Sequence, residues 1–236
     1  MLGGLPVIYG INPFSTETTP SHQLGARGVT PDGRVFRYSR VDATTALVAG
    51  NLLQAQAEAT DSQALAVAAA AVGDTSVVTT TTLTVTADEF ADGYLVVTVT
   101  PGLGHTYRIK GHAAATAAAL TVNLYDPIEI ALTTSSRIDL VHNPYNRVVQ
   151  NPTTATSGPI GVAFIAAAVD TYTWIQTHGV ADVLSEGVTA VGQSVVTSTG
   201  TAGAVIDSAS TTRPVVGYAM TGIATGENGA IFLMID

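Results

Sequence analysis

Gly158-Pro159-Ile160-Gly161-Val162-Ala163, returning a short turn later as Tyr172-Thr173-Trp174-Ile175, is a pattern that the chain carries twice. The second copy is Arg213-Pro214-Val215-Val216-Gly217-Tyr218-Ala219, returning as Ala230-Ile231-Phe232-Leu233-Met234-Ile235. Each copy starts a strand at a proline, sets a glycine where backbones approach closely, and comes back on β-branched and aromatic residues. A strand pair of this kind buries a face only against further strands, so the repeat predicts a β-barrel or sandwich. An upstream echo exists as well. Ala46-Leu47-Val48-Ala49-Gly50-Asn51-Leu52-Leu53-Gln54 shares the apolar–Gly–polar–apolar order of Thr189-Ala190-Val191-Gly192-Gln193-Ser194-Val195-Val196.

The remaining chain agrees with an all-β reading. Arg34-Val35-Phe36-Arg37-Tyr38-Ser39-Arg40-Val41 alternates, with Phe36, Tyr38 and Arg40 on one side, and follows the turn-forming Thr30-Pro31-Asp32-Gly33. Further strands are expected over 77–86, 94–100, 106–110, 119–124, 128–132 and 137–141, spaced by Gly, Pro, Asn or Asp. Residues 54–73 are rich in Ala, Gln, Glu and Leu, but their apolar positions keep no 3.6-residue period. A short helix is expected before Thr60, and extended, packed chain after it. Residues 1–24, with Pro6, Pro13 and Pro20, show no period and read as an extended arm that orders by lying on something. The expected organisation is an arm with an Arg-rich docking segment over 1–40, a β-rich middle module over 41–157, and a C-terminal β module over 158–236. The two modules are either packed together or one continuous core of short antiparallel strands.

Composition narrows function. Only 11% of the 236 residues are charged, against a typical quarter, so much of the exterior is expected to lie against other chains. Eighteen acids against nine bases give a net charge of −9, which makes nucleic acid a poor partner. Four of the bases, Arg27, Arg34, Arg37 and Arg40, nevertheless fall close together, opposed there only by Asp32. Arginine pairs bidentately and is favoured in interfaces, so this stretch is expected to dock on an acidic surface. There are no cysteines, hence no disulfides or thiolate–metal sites. The N-terminus lacks a basic n-region and a long apolar h-region, so no signal peptide and no membrane crossing are expected.

A set of short signatures resembles virion structural proteins of tailed bacteriophages. These are Leu24-Gly25-Ala26-Arg27 with Asp32-Gly33-Arg34-Val35-Phe36-Arg37-Tyr38 and Ala49-Gly50; Asp92-Gly93-Tyr94-Leu95, Gly104–His112, Asp126-Pro127-Ile128 and Asn143-Pro144-Tyr145; and Pro159–Ala163, Trp174–Gly179 and Pro214–Gly217. The resemblance implies a head decoration (cement) protein, commonly trimeric, that sits on the capsid surface of the virion and clamps neighbouring capsomers. Its implied partners are copies of itself and the major capsid protein.

No catalytic fingerprint accompanies it. The sequence has no Gly-x-Gly-x-x-Gly, no Walker-type loop and no metalloprotease His-Glu pair, so no enzyme, cofactor or metal is expected. His105 and His112 are seven residues apart, which fits neither a helical nor a strand-adjacent metal pair. Asp88-Glu89-Phe90-Ala91-Asp92-Gly93 lacks the alternating ligands of a calcium loop and reads as a solvated turn. The residues expected at subunit or capsid interfaces are Arg27, Arg34, Arg37, Arg40, Phe36, Tyr38 and Trp174. Tyr172 and Trp174 also raise the alternative of a carbohydrate- or receptor-binding fibre or spike module, provided that their rings are exposed.

Overall fold

The computed structural model describes residues 7–236 except 59, 83, 211 and 212. The first six residues of the expected arm therefore lie outside the described residues. The protein is all-β. Among the described residues the only helical segments are two three-residue 3-10 turns, Thr60–Ser62 and Ser208–Ser210. Over the described residues 54–58 the helix expected before Thr60 does not form. Gln54 instead ends a strand, Leu52–Gln54, whose three residues are all buried, which suits a strand covered on both faces.

The first five strands are β1 (Val7–Tyr9), β2 (Thr16–Glu17), β3 (Arg27–Val29), β4 (Val35–Arg40) and β5 (Leu52–Gln54). Then come β6 (Leu65–Ala66), β7 (Ser76–Thr80), β8 (Thr84–Val85), β9 (Tyr94–Val99), β10 (Thr106–His112), β11 (Ala115–Thr116), β12 (Ala119–Leu124) and β13 (Arg137–Val141). The last seven are β14 (Val149–Gln150), β15 (Pro159–Ala163), β16 (Tyr172–Leu184), β17 (Ser194–Thr197), β18 (Val205–Asp207), β19 (Val215–Ala219) and β20 (Asn228–Met234).

They form two compact units. One is discontinuous and combines the chain up to Ala57 with Pro144–Asp236; the other is Glu58–Asn143. This differs from the expected division at 40 and 157. The break falls at Asn143-Pro144, the earlier of two turn-rich stretches, because β14 pairs with β5 and so returns residues 144–157 to the first unit.

The discontinuous unit contains two five-stranded rings. In the first, β4, β16, β15, β5 and β14 pair in that order, every step antiparallel. In the second, β16, β20, β19, β17 and β18 do the same. A closed ring with an odd number of strands cannot be antiparallel throughout. The closing contacts are accordingly parallel bridges, Val41 with Val148 and Ser185 with Val205. The rings share β16, whose residues Tyr172–Gln176 pair with β4 and whose residues His178–Leu184 pair with β20.

The rings are duplicates in detail. Leu47 bridges Ala167 in the first as Thr189 bridges Ile223 in the second. Gly50 and Gly192 both adopt positive φ, and their N–H groups donate to Ala163 and Ala219 at 2.8 and 2.7 Å. A Cβ on Gly161 would lie 2.9 Å from the Gln176 carbonyl oxygen, and one on Gly217 would lie 2.1 Å from that of Phe232. Each of these glycines also sits beside a register shift against the outer strand, β5 or β17. The close approach predicted from the repeat is therefore real. The upstream echo is real too: Leu52–Gln54 and Ser194–Thr197 occupy matching places. Matching interiors follow, with Leu53, Val148, Ala163, Ala167 and Ile175 in one ring and Val195, Val205, Ala219, Ile223 and Ile231 in the other.

The second unit is an insertion into this plan. In the second ring, β17 and β18 are joined by residues 198–204. At the equivalent place in the first ring, between β5 and β14, the chain runs through the whole of Glu58–Asn143. That unit is an antiparallel sheet in the order β6-β13-β9-β10-β12-β7, with an antiparallel bridge between Val67 and Thr79 joining its two ends. Strict alternation builds its interior, as in β12, where Leu120, Val122 and Leu124 are buried and Ala119, Thr121 and Asn123 are exposed.

Candidate functional site

Strand β4 sends Phe36 and Tyr38 to the outer side of the first ring, where Tyr38 pairs directly across from Trp174 on β16. The Tyr38 ring meets Trp174 edge-on at 5.1 Å and stacks on Tyr172 at 5.9 Å, while Phe36 meets Phe164 at 5.4 Å. Such a stripe needs a cover. The cover comes from the chain's own N-terminal segment, which packs Ile8, Ile11, Leu24 and Ala26 onto it. The fit is close: a Cβ on Gly28 would lie 2.7 Å from Ile11 and 2.8 Å from Trp174.

A polar clasp fixes the segment in place. The Tyr38 hydroxyl donates to Glu17 at 2.5 Å, the Ser21 hydroxyl donates to the same carboxylate at 2.6 Å, and the Ser21 N–H donates to the Tyr38 oxygen at 3.1 Å. The bonds from Ser21 and Tyr38 hold the Glu17 carboxyl below its ordinary range. Burial, with Glu17 behind it, raises the Tyr38 phenol.

Two expectations are corrected here. Residues 7–40 do not form an arm waiting for another surface. β1 pairs with β3, β3 with β4, β2 with β16, and β4 is a wall of the first ring. Phe36, Tyr38 and Trp174, expected at interfaces, are 0, 1 and 2% exposed and belong to the core of this unit. The same burial leaves Trp174 no free face on which a sugar could stack.

The arginines are largely answered within the chain. Arg37 makes a bidentate pair with Asp236 at 2.7 and 2.8 Å and donates to the Gly25 carbonyl at 3.0 Å. Arg40 pairs with Asp170 at 2.8 Å and Arg34 with Asp32 at 2.7 Å. Arg34 also lies over the Phe164 and Phe36 rings at 5.2 and 5.7 Å. Arg27 stands opposite Arg37 in the β3–β4 ladder and has no ion pair among the described residues. Three of the four arginines expected to dock on an external acidic surface thus already hold a carboxylate of this chain. The partners lie up to 199 residues away, beyond the reach of local sequence reading.

The outer side of the second ring is different. Tyr218, Phe232 and Val180 stand side by side on β19, β20 and β16, with Met234 next to them on β20. Tyr218 stacks on Phe232 at 5.4 Å, and His178 meets Phe232 edge-on at 5.2 Å. Val180, Tyr218, Met220 and Met234 are all exposed. No residue in this group was expected from sequence at an interface. The only available signal was the repeat itself, which places Phe232 where the first ring has buried Gln176.

In the inserted unit the polar candidates are separately engaged. His112 accepts a bond from the Phe90 N–H at 3.0 Å through Nε2, which leaves Nδ1 as donor to the Ala113 carbonyl at 3.0 Å. The His105 ring lies 3.1 Å from the Gly102 carbonyl. Asp88 accepts from the His112 N–H, while Asp92 accepts from Arg108 at 2.6 Å and Tyr125 at 3.1 Å. Glu89 accepts from the Thr86 N–H and hydroxyl and lies 3.6 Å from His142. The His142 ring, with Thr86 behind it, holds the Glu89 carboxyl down to about 2. Each carboxylate of 88–92 thus turns to its own partner, and no group of three metal-ligating side chains occurs among the described residues. No family model, curated protein or solved structure matches the chain.

Proposed function

We propose that this chain is a structural virion protein of a tailed bacteriophage, a cement protein that assembles with copies of itself, as a trimer, and binds the outside of the head. The observation that carries the reading is the apolar outward surface of a chain so poor in charge. It is displayed by Val180, Tyr218 and Met234 on one unit and by the adjacent Tyr94 and Val141 on the other. Contiguous apolar side chains on neighbouring strands are costly to leave in water and mark surfaces that meet other chains. The work of a cement needs no covalent step. Many weak contacts repeated over a shell act together through avidity and oppose its expansion.

The test is direct. Purified protein is mixed with undecorated heads of a host phage, bound protein is counted after sedimentation, and the melting of the particles is followed. Saturable binding in a fixed ratio to capsomers, with a raised particle melting temperature, is expected. Heads that neither bind the protein nor gain stability would end this reading.

A further inference from the structure

We propose that the outer face of the second ring is the seat for the N-terminal segment of a second copy of this chain, forming a head-to-tail contact. The argument starts from the duplication. In the first ring the face built by β4 and the first half of β16 is covered by residues 8–26, which bury Phe36, Tyr38 and Trp174. The matching positions in the second ring are Val180, Asp182 and Ala230, placed by the same ladder one strand further on. There Val180 is 43% exposed, and Tyr218, Met220 and Met234 beside it are open as well. Among the described residues one ring wears a cover and its duplicate does not.

The chain also carries the counterpart. The covering segment exposes three large apolar side chains, Val7, Tyr9 and Phe14 at 42, 77 and 69%, among uncharged polar residues such as Asn12, Thr16 and Thr18. Between residues 7 and 26 the sole carboxylate is Glu17, already bonded to Tyr38 and Ser21. On the second ring charge stands at the two ends of the face and is bonded at both: Asp182 accepts from Asn228 at 2.7 Å, and Arg34, beside His178 and Val180, pairs with Asp32 at 2.7 Å. Bringing the two surfaces together therefore strips water from apolar side chains without stranding a charge. A patch on one copy meeting a different patch on the next is a heterologous contact, which gives a ring when the rotation closes. This inference rests on the self-assembly part of the cement reading and names its geometry; its test uses no particles, so its failure is read separately from a failure to bind heads.

The test uses the full chain without particles. Sedimentation velocity over a wide concentration series compares the wild type with Val180→Thr/Tyr218→Ser and with Tyr9→Thr, all exposed positions. Trp174 fluorescence checks that each variant is folded. The wild type should assemble, and each variant should raise the dissociation constant about tenfold or more, as expected for central interface aromatics. An equimolar mixture of the two variants keeps one intact contact per pair, so it should give dimers but no closed ring. A wild type that stays monomeric throughout overturns the proposal, as does assembly that neither variant weakens. Weakening by the second-ring variant alone would mean that this face meets itself, and a mixture without dimers would exclude the head-to-tail geometry; either outcome refutes it.

Discussion

Gly161→Ala and Gly217→Ala form a matched pair of perturbations whose outcomes should differ. Both glycines hold the same place in the two rings, yet the space around them is unequal. At Gly217 the new Cβ would sit 2.1 Å from the Phe232 carbonyl oxygen, 2.9 Å from its carbon and 3.2 Å from the Leu233 Cα, all backbone atoms of a paired strand. At Gly161 it would sit 2.9 Å from one carbonyl oxygen, with the other near atoms belonging to the Ile175 side chain at 3.0 and 3.1 Å. A side chain turns aside cheaply; a ladder backbone does not. Overpacking costs about 1–3 kcal/mol and occasionally more. Gly161→Ala should fall near 1–2 kcal/mol within that range, and Gly217→Ala at about 3 or above.

The discontinuous unit takes in residues 1–57 and 144–236, 150 in all. At that size each kcal/mol moves the melting temperature by roughly 2–4 °C, so Gly217→Ala should lower it by about 6–12 °C. Trp174, the chain's one tryptophan, lies buried in this unit and reports its unfolding. Gly222→Ala, with nothing within 4 Å of the added carbon, serves as the control and should change little. If Gly217→Ala melted with the wild type, or Gly161→Ala proved the more damaging, the close-approach reasoning would fail.

Three further outcomes follow from the geometry. Glu89 is held at about 2 in the folded unit against an ordinary 4.5, so its contribution is complete above pH 4.5 and is lost as pH falls toward 2. After allowance for solvent this amounts to about 1–2 kcal/mol, and Glu89→Gln should flatten acid unfolding of the inserted unit across that window, as followed by circular dichroism. Joining Ala57 to Pro144 through a short Gly/Ser linker should leave a discontinuous unit that melts cooperatively with native Trp174 emission; an aggregated or molten product would contradict the insertion. Deleting residues 1–40 removes β4 and breaks the first ring, so the product should lose native Trp174 emission, and a natively folded truncation would contradict the ring topology.

How much of this was legible differs by feature, for physical reasons. The repeat could be read because its marks are local: a proline that starts a strand, and a glycine beside β-branched residues where a carbonyl comes within reach of a Cβ. The extended, packed character of residues 64–70 could be read in the same way, from an apolar run without helical period, and the chain there bridges Thr79 and Leu132. The insertion could not be read. It interrupts one copy of a duplicated ring between two strands that pair only after the chain has left and returned, and Gln54 and Val149 carry no local sign of one another. Asp170 and Asp236 were likewise invisible as the partners of Arg40 and Arg37, since opposite charge is common and distance along the chain conceals contact.

The candidate interface residues illustrate a more general limit. Phe36, Tyr38 and Trp174 on alternating strand positions say that a face will be covered, because about 25 cal/mol per Å² favours hiding it. They do not say which stretch of chain supplies the cover. Here the cover is intramolecular, and what fixes it is the clasp that Glu17 and Ser21 make with Tyr38, the first two being polar residues that no hydrophobic pattern would select. The duplicated face shows the reverse case, with smaller side chains, Val180 and Ala230 in place of Phe36 and Trp174, and no cover of its own. Reduced side-chain volume makes such a face bearable in water, while Tyr218 and Met234 leave apolar surface open for the contact proposed above. A surface balanced between those demands would suit that proposed contact, formed after folding, better than one that must be permanently buried for the chain to fold.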